Sequence, residues 1–173
     1  MAFTITASSL CEVTFLATND ETVAIAKDSA NTRGLTQSSY SFGTGDNQIN
    51  QYYRTEDELT ASSGNFDFDL RALVNLLNSS IPGFSAVKEL FIANVEATTG
   101  ADLIVSPSPS NGWTSPFSGV STAEIAIPPS GHLHLKSPLT GFVVNSTNRN
   151  LRLSHGGASS GAITFRMIIE GLS

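Results

Sequence analysis

The chain has 173 residues, room for one domain with a sizeable core, and 14% of them are charged, well below the usual quarter or so. Lys and Arg total 9, lie scattered and leave a net charge of −6, so the basic footprint of a nucleic-acid-binding protein is missing. The single cysteine, Cys11, excludes an intrachain disulfide and reads as a small apolar residue, so stability is expected from packing or from partner subunits.

Residues 1–34 read as an N-terminal arm or added strands. Phe3 and Ile5, then Val13 and Phe15, then Val23 and Ile25, are separated by polar residues. Such a segment has little core of its own and exposes strand edges that a partner would cover. Phe3, Ile5, Val13 and Phe15 are therefore candidate partner contacts, against the alternative that they pack in cis. The opening MAFTITASSLCEVTFL has neither a basic start nor a long apolar run, and reads as neither a secretory signal nor a membrane helix.

Residues 35–173 read as one β-sandwich domain. Tyr40-Ser41-Phe42, the turn Gly43-Thr44-Gly45, and then Ile49, Tyr52 and Tyr53 predict a loop-linked pair of strands, followed by the acidic cluster Glu56, Asp57 and Glu58. Phe66, Phe68 and Leu70 alternate with Asp67 and Asp69. Leu70, Leu73, Val74 and Leu77 then repeat at helical spacing, which predicts one short α-helix over about residues 70–78, with Asp69 as its N-cap. Residues 87–95 read as a central strand, apolar on both faces, and residues 103–105 as the next. Three prolines, two glycines and Trp113, the only tryptophan, mark residues 106–119 as a long loop across one end. Four alternating runs close the chain: Ile125/Ile127, Leu133/Leu135, Leu151/Leu153, and Ile163/Phe165/Met167/Ile169. Successive side chains of a strand point to opposite faces, so each run buries one face and wets the other. Pro128-Pro129-Ser130-Gly131, Ser137-Pro138 and Gly156-Gly157 supply the turns between them. The expected fold is all-β, an antiparallel jelly-roll-like sandwich.

Reactive equipment is sparse. His132 and His134 share a strand face with Lys136; two histidines at that spacing can share a metal, but a third ligand is needed and His155 is the only other histidine. Asp67 and Asp69 also share a face, where paired carboxylates can divide acid and base roles or bind a hard cation. Gly43-Thr44-Gly45 is too short for a phosphate loop and reads as a tight turn. Ser8, Ser9 and the other serines lack a nucleophile-elbow context. Trp113 and Phe117 on the long loop are candidate partner contacts, with a glycan platform or a lid over the core as alternatives. The expectation is no catalytic, cofactor or metal site.

The order of motifs carries a resemblance. Gly43-Thr44-Gly45-Asp46-Asn47-Gln48 leads to Tyr52 and Tyr53, and Phe66-Asp67-Phe68-Asp69-Leu70 follows. Next come Lys88-Glu89-Leu90-Phe91-Ile92-Ala93-Asn94, Asn111-Gly112-Trp113, and Pro129-Ser130-Gly131-His132-Leu133. Thr140-Gly141-Phe142-Val143-Val144, Asn150-Leu151-Arg152-Leu153 and the tail from Ile163 to Gly171 complete the set. Over roughly residues 41–173 this order resembles a family of tailed-phage virion structural proteins. Pro-Ser-Gly stands where Pro-Gly-Gly is usual, and His155 where Asn is usual. The resemblance implies a non-enzymatic protein on the outer capsid surface, a decoration or cement protein. Its partners would be the major capsid protein and copies of itself, with a homotrimer favoured, and neither nucleic acid nor membrane would be contacted. A tail or fibre component and a carbohydrate-binding sandwich module are the alternatives.

Overall fold

Alternating apolar residues become a fold only when strands pair, and here the pairing is long-range. The structure, a computed structural model, describes residues 40–61, 64–74, 80–96, 101–157 and 161–173. The chain divides into two units between Ser39 and Tyr40, and the described residues belong to the second, Tyr40–Ser173. The expected arm over residues 1–34, with Cys11, Phe3, Ile5, Val13 and Phe15, lies outside the described residues.

A parallel pair of two-residue strands, β1 (Ser41–Phe42) and β2 (Gln48–Ile49), comes first. Then follow β3 (Gln51–Leu59), β4 (Asn65–Asp69), β5 (Ala86–Asn94), β6 (Leu103–Pro107), β7 (Ile125–Ile127), β8 (His132–Lys136), β9 (Phe142–Val143), β10 (Asn150–His155) and β11 (Ile163–Leu172). One sheet has the order β3-β11-β5-β8, with β9 also on β5; the other has the order β4-β10-β6-β7. Within the two sheets the earliest strand, β3, pairs with the last, β11, and the nesting continues inward through β4 with β10 and β5 with β8 to β6 with β7. All these pairs are antiparallel. This winding, shared between a five-stranded and a four-stranded sheet, is the jelly-roll arrangement.

The inward positions are those the alternation marks. Ile163, Phe165, Met167 and Ile169 on β11, Leu151 and Leu153 on β10, and Leu103 and Val105 on β6 are all fully buried. Leu133, Leu135 and Ile125 pack against this core from its margin. Phe66 and Phe68 of β4 meet Phe165 of β11 at ring separations of 5.8 and 6.1 Å, which ties the two sheets together. β5 is central, as expected, and its neighbour β11 shifts register between Glu170 and Gly171. A Cβ on Gly171 would collide with the Ala86 carbonyl oxygen, so the close backbone approach at this bulge requires glycine.

The helix expected over residues 70–78 is not what the described residues there form. Residues 70–72 make a turn and Val74 forms an antiparallel bridge to Ser80; residues 75–79 lie outside the described set. The backbone groups that a helix would need are taken by tertiary partners. The Leu70 carbonyl accepts from Phe84 N–H at 2.9 Å and the Leu73 carbonyl from Ile81 N–H at 3.1 Å, where a helix would use residues 74 and 77. Leu70 and Leu73 are still buried, so the apolar spacing is satisfied by a turn docked on the core. Asp69 keeps the local role expected of it in another form, accepting from Arg71 N–H at 3.0 Å. No helix of the described residues is long and apolar enough to cross a membrane.

Candidate functional site

The most unusual chemistry lies on the outer face of the five-stranded sheet, where strand register lines up side chains in rows. One row runs Tyr52 (β3), Glu170 (β11), Glu89 (β5), Lys136 (β8). The next runs Arg54, Ile168, Phe91, His134, and the third Glu56, Arg166, Ala93, His132. Outer faces of sandwiches are ordinarily wet, yet Glu170 is 5% exposed, Glu89 8% and Ile168 8%.

Two carboxyls therefore face each other across an antiparallel pair, a placement that is destabilising when both are charged. Their surroundings separate them. Burial, then the charge of Glu89, pushes the Glu170 carboxyl up to about 7. Burial alone would also raise Glu89, but its hydrogen bond to His134 and the charges and hydroxyl around it, from His134, Tyr40 and Lys136, hold it below the usual carboxylate range. The His134 Nε2 to Glu89 Oε1 distance is 2.7 Å. Tyr40 lies against Glu89, and burial and then the charge of Glu89 push its phenol above the usual range, with a smaller push from Glu170. Lys136 Nζ sits 5.4 Å from the Tyr40 ring centre. The Tyr40 hydroxyl and Glu89 Oε2 are both buried, and neither completes a hydrogen bond of ordinary geometry. Tyr52 is pushed up to about 12 by burial and by Glu170. The arrangement can hold or release one proton near neutral pH.

His132 and His134 do share this face, with the Phe91 ring beside both, stacked on His132 at 5.6 Å and edge-on to His134 at 6.3 Å. His155 is on β10 of the other sheet, where Nε2 meets the Gly161 carbonyl at 2.7 Å. Among the described residues no three His, Cys, Asp or Glu side chains gather as a metal group. Gly43-Thr44-Gly45 forms a tight turn closed on Gln48, whose Oε1 accepts from Gly45 N–H at 2.8 Å.

Asp67 and Asp69 share the outer face of the other sheet, each beside an arginine. Arg152, opposite Asp67 in register, donates to it through Nε at 2.8 Å and Nη2 at 2.7 Å, and this bond holds the Asp67 carboxyl below its usual range. Arg149 Nε lies 3.4 Å from Asp69. The Asp67 side chain is 39% exposed, so solvent screens the pair. Asp67→Asn is expected to shift unfolding by at most about 1 kcal/mol. A loss of several kcal/mol in urea denaturation would show that the pair anchors β4.

Trp113 and Phe117, candidate partner contacts with a lid over the core as an alternative, take the lid's place and not the contact's: the indole is fully buried and Phe117 is 7% exposed, both within this chain's own core. Trp113 Nε1–H donates to the Val143 carbonyl at 2.9 Å, and its ring meets Phe142 edge-on. The loop is a lid on the sandwich, because an apolar ring of that size at an open sandwich end gains more by closing the core.

The Glu89–Glu170 pair was missed in the sequence. Each residue alone sits in an alternating run as an ordinary polar position. Only the β5–β11 register, set by residues about eighty positions apart, brings them face to face. No protein-family model matches this chain, and no curated protein does.

Proposed function

We propose that this chain is a non-enzymatic structural protein of a tailed-phage virion, decorating or cementing the outer capsid surface as a homo-oligomer, with a trimer favoured. One observation carries the reading: the side chains of the family-like motifs that the structure describes do architectural work. Lys88, 1% exposed, directs its ammonium to the carbonyls of Pro138 and Leu139 and fixes that turn. Asn94 Nδ2 bridges the carbonyls of Ala101 and Ile127 at 3.0 and 3.1 Å, joining β5 to the ends of β6 and β7. Asn150 Nδ2 holds the Ser110 carbonyl at 2.8 Å, while its own carbonyl accepts from Ser108 and Trp113 N–H groups. Gly171 permits the bulge. Residues kept for chemistry would face a substrate; these hold a shell-like sandwich in shape. The acidic pair that invited a catalytic reading, Asp67 and Asp69, is engaged with arginines. Closed cyclic assemblies match the local three-fold axes of a capsid lattice.

The test is a density map of the intact particle together with the solution mass of the purified protein. The expected result is a trimer in solution and three-fold density on the outer shell. Density confined to the tail, or no copies on the particle, overturns the decoration role; a monomer bound singly, away from any symmetry axis, overturns the trimer alone.

A further inference from the structure

We propose that the Glu89–Glu170 pair is a pH-sensitive latch that holds Tyr40 closed over the outer face of the five-stranded sheet and releases it when Glu170 loses its proton. The inference is independent of the virion reading and rests on the cluster itself. Glu170 is nearly inaccessible and stands directly opposite Glu89. Glu89 is anchored on its far side by His134, at 2.7 Å, so it does not swing away from Glu170.

The groups facing Glu170 come from every neighbouring element. Tyr52, with Arg54 in the next row, comes from β3; Glu89 from β5; Lys136 and His134 from β8; Tyr40 from the segment leading into β1; and Arg166 lies further along β11 itself, beyond Ile168. The Lys136 ammonium lies on the Glu89 side, paired in register with Glu89, and His134 bonds to Glu89 there. Glu170 has tyrosines and Ile168 around it, an environment that suits a neutral acid. With one proton on the pair, Lys136 balances the remaining carboxylate, and the Tyr40 ring lies beside the Lys136 ammonium with its hydroxyl against Glu89.

Loss of that proton leaves two carboxylates opposed in a place shielded from water. Water relieves this, and its way in is beneath Tyr40. The cover is poised to move. Its hydroxyl lies against Glu89 without a hydrogen bond of ordinary geometry, so it gives up only a weak contact, and Glu89 Oε2 gains a well-formed one as soon as water enters. Tyr40 sits at the start of the described unit. The segment after it is held through Asn47 N–H on the Pro138 carbonyl and Asn50 N–H on the Gly171 carbonyl. Opening therefore loosens residues 40–50 while the sandwich stays folded.

The test is amide hydrogen exchange of residues 40–50 in the full chain, corrected for the intrinsic base catalysis of exchange, alongside a carbon-13 NMR titration of the glutamate carboxyls. Between about pH 6 and about pH 8 the opening equilibrium of this segment is expected to rise about tenfold, while the amides of β5 and β11 stay protected. Glu170→Gln, which keeps the shape and removes the titration, is expected to abolish the rise. A rise that persists in Glu170→Gln overturns the proposal. So does a Glu170 carboxyl that titrates in the ordinary range in the unmodified protein, a measurement that needs no variant to fold.

Discussion

Trp113→Ala is expected to lower the unfolding free energy by about 3–5 kcal/mol, the usual cost of emptying the site of a large buried aromatic. The indole has no exposed surface and closes the loop end of the core against Phe142. The loss comes from the cavity. The Val143 carbonyl that the indole N–H engages also accepts from Ser115 Oγ at 2.9 Å and Asn148 Nδ2 at 3.2 Å, so it keeps partners in the variant. Trp113→Phe, which retains much of the volume, is expected to lose clearly less. Denaturant unfolding of the two variants checks this. A loss below about 1 kcal/mol for the alanine variant, the scale of an ordinary surface substitution, would mean that the loop is not a lid and would return Trp113 to the candidates for partner contact.

Stability is expected to fall as pH rises from about 5 to about 8, by about 3 kcal/mol from Glu170 alone. Its carboxyl is raised from 4.5 to about 7 in the folded chain, so between those values the native state holds a proton that the unfolded chain has lost. That contribution is fully present below the unfolded value and is lost as pH rises through the folded one. Glu89 runs the other way. Held below its ordinary range, it contributes stability above that range and loses it as the solution becomes more acid. The pair thus places its optimum in mildly acidic solution. Glu170→Gln is expected to remove the alkaline decline, and Glu89→Gln the acid one. Because burial is the largest cause of the Glu170 shift, part of the alkaline decline should survive in Glu89→Gln. Urea unfolding at several pH values reads all three curves. A flat or rising curve for the unmodified protein over this interval would sink the account.

Much of the sandwich is legible from local pattern. In the run from Ile163 to Ile169, a residue's face follows from its parity alone, and all four apolar positions are buried as that parity requires. The same holds for Leu151 and Leu153. Where two local patterns compete, legibility ends. Leu70, Leu73 and Val74 have the spacing of a helical face, but Phe84 and Ile81, which share no local pattern with them, take the backbone carbonyls and leave a turn. The loop end fails for a related reason. An aromatic residue on a proline- and glycine-rich loop reads the same whether it faces a partner or the core; the depth of the opening it fills decides, and that depth is a property of two sheets together.

The amino-acid sequence by itself determined the fold class, the core faces of the terminal strands, the shared face of His132 and His134, and the exclusion of an intrachain disulfide. These depend on side-chain periodicity and composition, which act over a few residues. Only the tertiary structure decided the strand order, the inward turn of Trp113, the arginine partners of Asp67 and Asp69, and the meeting of Glu89 with Glu170. Each of these depends on which strand lies beside which and in what register. Register is set by the summed burial of whole faces and the geometry of distant turns, so no single segment carries it.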